Sequence, residues 1–224
     1  YFSQIIYLIN IIEKTYSRKM TQHDVNILLN IYIHSFRPKI FEILKFIHDL
    51  KEKNIIHALV LYTKNKNECF VKMVLSFIQD RILQNSAPPP RINKQNILQL
   101  FDHIIFSKTK TKHLDHFSKL VHIYDEIETR FCFIDNKNYN YEPKNSTLTI
   151  YYIECDTYKF YYTTDEIVKN MNYKIYSKLN KKIIYKYWNN IYKNRTIVNI
   201  PSKIHELNSL YVFNLLNNFC FLTK

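Results

Sequence analysis

Apolar positions recur at helical spacing from the start of the chain: Ile5, Leu8, Ile11 and Ile12, then Val25, Leu28, Leu29 and Tyr32. Residues three, four and seven apart share one helix face, so the pattern predicts two amphipathic helices separated by the polar break "SRKMTQ". A third follows in "RPKIFEILKFIHDLKEK", with Pro38 suited to a first helical turn and Ile40, Ile43, Leu44, Ile47 and Leu50 on one face. The period then changes. "ALVLY" is too short for a helix and apolar on both faces, as a strand of a covered parallel sheet is. A helix over roughly residues 68–83 precedes "QNSAPPPRINKQ", where three consecutive prolines force an extended loop. "DHIIF" predicts a second strand, "HLDHFSKLVHIY" another helix, and "RFCFID" and "TLTIYYIE" a third and a fourth strand. This alternation predicts an α/β fold: a doubly wound, Rossmann-like parallel sheet with extra helices at both ends.

Beyond this region, Ile175, Leu179, Ile183, Tyr187 and Ile191 repeat every four residues, and Lys174, Lys178, Lys182 and Lys186 form the adjacent stripe. From Tyr173 onward nine basic residues face the single acid Glu206. The expected organisation is an α/β domain over residues 1–171 and a basic helical appendage over 172–224. The lysine stripe with interleaved aromatics is a candidate nucleic-acid surface. The same pattern also describes a helix held by its apolar side with its lysines in water.

Thirty-two Lys and Arg against nineteen Asp and Glu leave a net charge of +13, which favours anionic partners: phosphorylated protein, nucleic acid or an acidic surface. Glycine is absent, although average usage would give about sixteen. That excludes a Walker loop and a dinucleotide fingerprint, because both need glycine where backbone approaches phosphate. The abundance of Ile, Asn, Lys, Tyr and Phe is the bias an AT-rich genome imposes, so lysine and asparagine richness alone carries no function. Cys69, Cys132, Cys155 and Cys220 show neither CxxC nor zinc-finger spacing, and none has Arg six positions on, as a Cys-based phosphatase loop requires. Free thiols in a reducing, intracellular setting are expected. The longest uncharged run, residues 207–223, is interrupted by Asn208, Asn214, Asn217 and Asn218, so no membrane span is expected.

In doubly wound folds the carboxyl ends of the strands converge on one crevice. Thr63 and Asp135 stand at such ends. A threonine there commonly caps the following turn, so the strand ends must be read together. "VLYTKNKN", then "KTKTKHLDHF", then "FCFIDN" present a hydroxyl, a lysine and an acid-amide pair, in that order. The ordered set resembles the haloacid dehalogenase-like phosphatases, in particular the NLI-interacting-factor-like branch that includes phosphatases of the RNA polymerase II tail. "RPKIFEILKFI" is similar to that branch's Arg-Pro-Gly helix start, with Lys39 in place of the Gly. Divergent members from giant viruses are more similar still, because their catalytic Asp-x-Asp-x-Thr-Gly segment runs directly into residues like "YFSQ". The resemblance covers residues 1–171.

The resemblance implies that Thr63 binds a transferring phosphoryl group and Lys112 neutralises its charge, a role open equally to Lys108 and Lys110. It implies that Asn136 ligates Mg²⁺, with Asp135 beside it orienting the lysine. The activity implied is Mg²⁺-dependent hydrolysis of phosphoserine or phosphothreonine in protein, through an aspartyl phosphate. The Asp-x-Asp pair itself is not in this sequence: Glu13 and Asp24 lie in helical pattern. The chain is therefore expected to begin inside the domain, just past the nucleophile, and to be inactive as it stands. The first and third strands are expected to flank a slot or to have collapsed together. A reading of another class is an inactive scaffold of the same fold, or a nucleic-acid-binding protein using the lysine stripe.

Overall fold

A computed structural model describes residues 2–83, 100–106, 129–136, 148–171, 175–192 and 200–221. Among these, the first apolar stripes bury completely. In α1 (Ser3–Tyr16) Ile5, Leu8 and Ile12 are fully buried, as are Val25, Leu28 and Leu29 of α2 (Gln22–Ile31) and Tyr32 at its end. Each such side chain contributes about 1.5–3 kcal/mol by leaving water. The break between the helices is specified by side chains. Ser17 ends α1 in the left-handed region (φ 51°), and Glu13 accepts from Lys19 Nζ (3.0 Å) and the Met20 amide (2.9 Å). Thr21 and Asp24 form a reciprocal capping box on α2, and Arg18 pairs with both Asp24 oxygens at 2.7 and 3.0 Å.

A single 3₁₀ turn, Ile33–Ser35, leads to α3 (Ile40–Glu52). Pro38 lies before this helix rather than in its first turn. The Ile40 amide donates to the Arg37 carbonyl at 3.2 Å, closing a four-residue turn, and Lys39 occupies its third position at φ 61°, ψ 7°. The expected face is buried at Ile43, Leu44, Ile47 and Leu50.

β1 (Val60–Thr63) is followed by α4 (Glu68–Leu83) and β2 (His103–Phe106), a right-sized parallel βαβ unit. β1 and β2 pair in parallel from Val60↔His103 to Thr63↔Phe106. β3 (Thr129–Asp135) and β4 (Leu148–Glu154) pair in parallel from Thr129↔Leu148 to Asp135↔Glu154. The architecture is thus mixed α/β, with short parallel strands in two two-stranded sheets, and no strand joins the sheets among the described residues. The predicted helix at 113–124 and the proline loop lie outside the described residues.

Among the described residues three further helices follow: α5 (Thr164–Asn170), α6 (Lys181–Tyr192) and α7 (Ser202–Phe221). The continuous lysine-striped helix expected from Tyr173 is shorter than its repeat. The Asn180 side chain accepts from the Ile183 amide at 2.9 Å and starts α6 there. Ahead of that cap Tyr176 and Leu179 are buried while Ile175 is 45 % exposed. Within α6 Ile184 and Trp188 are fully buried, one residue past the expected Ile183 and Tyr187. Trp188 sets that phase by packing against Tyr7 of α1, ring centroids 5.7 Å apart. Buried residues from Ile5 to Cys220 belong to one hydrophobic cluster, with Phe213 and Phe219 of α7 packed on it against Phe46 and Tyr151. No helix among the described residues is long and apolar enough to cross a membrane.

Candidate active site at the strand ends

Parallel pairing puts the last residues of β3 and β4, Asp135 and Glu154, at the same end of their sheet. The Cys155 amide donates to the Asp135 carbonyl at 2.9 Å and carries the pairing one step past β4. Asn136 then folds back: its amide donates to Asp135 Oδ1 at 2.7 Å, and its side-chain Nδ2 donates to Thr157 Oγ1 at 2.7 Å. The turn after β3 is thereby tied to the turn after β4, twenty-one residues on.

A pocket of about 310 Å³ opens at this end, lined by Asp135, Asn136, Cys155, Asp156, Thr157 and Tyr158, with Ile134 and Arg37. Arg37 comes from the turn before α3. Its guanidinium donates to the Asp156 carbonyl and lies 5.8 Å from the Tyr158 ring centroid, while its Nη1 is buried without a hydrogen-bond partner among the described residues. The Tyr158 hydroxyl donates to the His34 carbonyl, so the same segment is anchored twice. Burial pushes the Tyr158 phenol up to about 12, against the opposing pull of Arg37. Burial also raises the Cys155 thiol; Arg37 pulls it down, and Asp135 and Asp156 add to the rise. Burial therefore disfavours the thiolate form of Cys155.

Thr63 is at the carboxyl end of β1, as expected, but its oxygen is engaged locally. The Asn65 amide donates to Thr63 Oγ1 at 3.1 Å, the Asn67 amide to Asn65 Oδ1 at 2.9 Å, and the Phe70 amide to Asn67 Oδ1 at 3.0 Å. Three successive side-chain-to-backbone bonds thus carry the chain from strand to helix, the last one capping α4. Thr63 is not among the residues lining the pocket at the β3 end. Lys112, with Lys108 and Lys110, lies outside the described residues, and so does Lys174. Lys178, Lys182 and Lys186 are exposed on the segment around α6 and do not line this pocket.

Sequence reasoning named Asp135 and Asn136 and passed over Arg37, Asp156, Thr157 and Tyr158. The rule that strand carboxyl ends form the crevice applied equally to β4, whose exit reads "CDTY". In the sequence Arg37 stands only as part of a helix start.

The donors fit a hard cation in one limited way. The Asp135 carboxylate and the Asn136 amide oxygen are oxygen ligands of the kind Mg²⁺ takes when it keeps most of its waters. No group of three acidic, histidine or cysteine side chains able to hold a metal occurs among the described residues.

No family model, no curated protein and no solved structure matches this chain.

Proposed function

We propose that the chain is the greater part of a haloacid dehalogenase-like, Mg²⁺-dependent phosphoserine or phosphothreonine phosphatase, lacking the strand that carries the nucleophile. The observation that carries this reading is the division of the strands into two parallel pairs, β1 with β2 and β3 with β4. In that family the nucleophile's strand lies between the threonine strand and the acid strand. Alternate residues of a parallel strand bond to opposite neighbours. The Asp135 carbonyl accepts from Cys155 in the register of the β3–β4 ladder, so Cys132 and Ile134 on β3 point away from β4, and in this reading Val60 on β1 points away from β2 likewise. A strand between them would complete one five-stranded sheet.

A second support is the turn before α3. The family's Arg-Pro-Gly start coincides here with Arg37-Pro38-Lys39, and Lys39 adopts the left-handed geometry that the third position of a type II turn gives to glycine. The resemblance thus extends to a backbone requirement.

In this reading Asp135 and Asn136 would hold the cation, which supplies charge neutralisation of a phosphoryl group. The Thr63 hydroxyl still has a proton to donate while its oxygen accepts from Asn65, so it can bond an equatorial phosphoryl oxygen without leaving its turn. Arg37 keeps a positive charge beside the two carboxylates Asp135 and Asp156 and holds the β4 exit in place. Preorganised charge of this kind is the main source of rate in phosphoryl transfer.

The test is hydrolysis of p-nitrophenyl phosphate and of a phosphoserine peptide by a chain that carries an Asp-x-Asp-x-Thr strand ahead of Tyr1. Turnover with Mg²⁺ that EDTA abolishes is expected, with none from residues 1–224 alone. A nucleophile-bearing chain that folds and does not turn over either substrate contradicts the reading.

A further inference from the structure

The end of α1 and the segment that begins α6 are more than 160 residues apart in sequence and meet in space. The Lys178 amide donates to the Tyr16 hydroxyl at 2.8 Å, and Lys178 Nζ lies 5.5 Å from the Tyr16 ring centroid. Farther along α6, the Tyr7 hydroxyl donates to the Tyr187 carbonyl at 2.7 Å, and Lys14 Nζ lies 5.5 Å from the Tyr187 ring centroid. Each contact sets a lysine beside a half-exposed tyrosine ring, and both lie along the seam between α1 and the segment that carries α6.

Lys182 and Lys186 extend it. They are one turn apart, about 6 Å along the α6 axis, and stand opposite the buried pair Ile184 and Trp188. Among the described residues none of Lys14, Lys178, Lys182 and Lys186 forms an ion pair. Two acids at the end of α1 and the start of α2 are already paired, Glu13 with Lys19 and Asp24 with Arg18. The positive charge of this face is thus left to solvent.

We propose that this face, built from Lys14, Tyr16, Lys178, Lys182, Lys186 and Tyr187, binds single-stranded nucleic acid. Lysines meet phosphates as point charges, and the tyrosine rings offer surfaces on which bases stack once the covering lysine turns to a phosphate. A membrane surface suits the face less, because an interfacial helix inserts its apolar side, and α6 has turned Ile184 and Trp188 into the core. The proposal is independent of the phosphatase reading.

The experiment is fluorescence anisotropy of the whole chain with labelled oligo(U) and oligo(dT), over a salt series. Affinity should fall linearly in log salt. Replacing Lys14, Lys178, Lys182 and Lys186 by Gln should weaken binding at least about tenfold and flatten the slope by about 0.7 for each lysine that meets a phosphate. Tyr187→Leu should weaken binding about tenfold through lost stacking with the slope retained. Lys66→Gln with Lys72→Gln, exposed on α4 and the turn before it, should leave affinity unchanged. Circular dichroism and a melting curve establish that each variant is folded. Binding unaffected by the four lysine changes overturns the proposal. So does binding in which Tyr187→Leu has no effect and anionic vesicles or an acidic peptide compete as well as oligo(U).

Discussion

The exits of β1 and β3 both present a polar side chain at the end of a parallel strand, and they are built in opposite ways. At β1 a ladder of local bonds carries the exit among the described residues: Thr63 to Asn65, Asn65 to Asn67, Asn67 to Phe70. At β3 the bonds reach across the chain: Asn136 to Thr157, and Arg37 to Asp156 from 119 residues away. Local bonds fix a loop, whereas distant ones bring several elements to one place and leave a lined pocket between them. The polarity of a strand end therefore says little until the sequence distance of its partners is known.

The largest expected difference between the exits is in rate. In a nucleophile-bearing chain, Asp135→Ala should lower kcat by about 10²–10³ with little change in the melting temperature. The same loss from Asn67→Ala, which touches only the β1 exit, would break the comparison. Next is the anchor from the α3 turn. Arg37→Ala should destabilise by about 1–2 kcal/mol, since a charged donor to the Asp156 carbonyl and the contact with the Tyr158 ring disappear together. Urea denaturation measures it.

Within the local ladder, Asn67→Ala should cost about 1 kcal/mol by uncapping α4, lowering Tm by about 2–4 °C. Thr63→Val should cost less than Asn67→Ala, because only one exposed-loop amide loses its acceptor. At the other exit, pH offers a probe without mutation. The Tyr158 phenol is raised in the folded state, so the folded chain holds its proton longer than the unfolded chain does. That contribution to stability is complete below about pH 10, the ordinary tyrosine value, and is lost as pH rises toward 12. Tyr158→Phe should flatten the decline in stability over that window, read by denaturant midpoints. The smallest effect expected is a gain: Lys39→Gly should raise stability by up to about 1 kcal/mol, since glycine enters the left-handed region freely.

Element positions were legible where one periodicity ran uninterrupted. Residues 68–83 were read as the helix they form, and the four apolar runs as the four strands. The start of α6 was not, because a four-residue repeat ran straight through Asn180, and a single capping side chain outweighed it. Nor could periodicity show that Trp188 would choose the buried phase, since Tyr7, which packs against it, lies 181 residues earlier. Asp135 and Asn136 were legible because chain order alone places a strand's last residues. Arg37, Thr157 and Tyr158 join them only through long-range folding, and no local pattern marks such a meeting. The division into two sheets was likewise expected only as one outcome of two, because pairing between β1 and β3 would have left the same sequence pattern.

The central claim is that β1 and β3 flank one strand position. The most direct measurement is amide hydrogen exchange, residue by residue, for the chain alone and for the chain with an Asp-x-Asp-x-Thr strand fused ahead of Tyr1. The account predicts that exchange at Val60, Cys132 and Ile134 slows together on fusion, while amides of α2 keep their rates. Unchanged exchange at all three, or slowing confined to β1 or to β3, would contradict it.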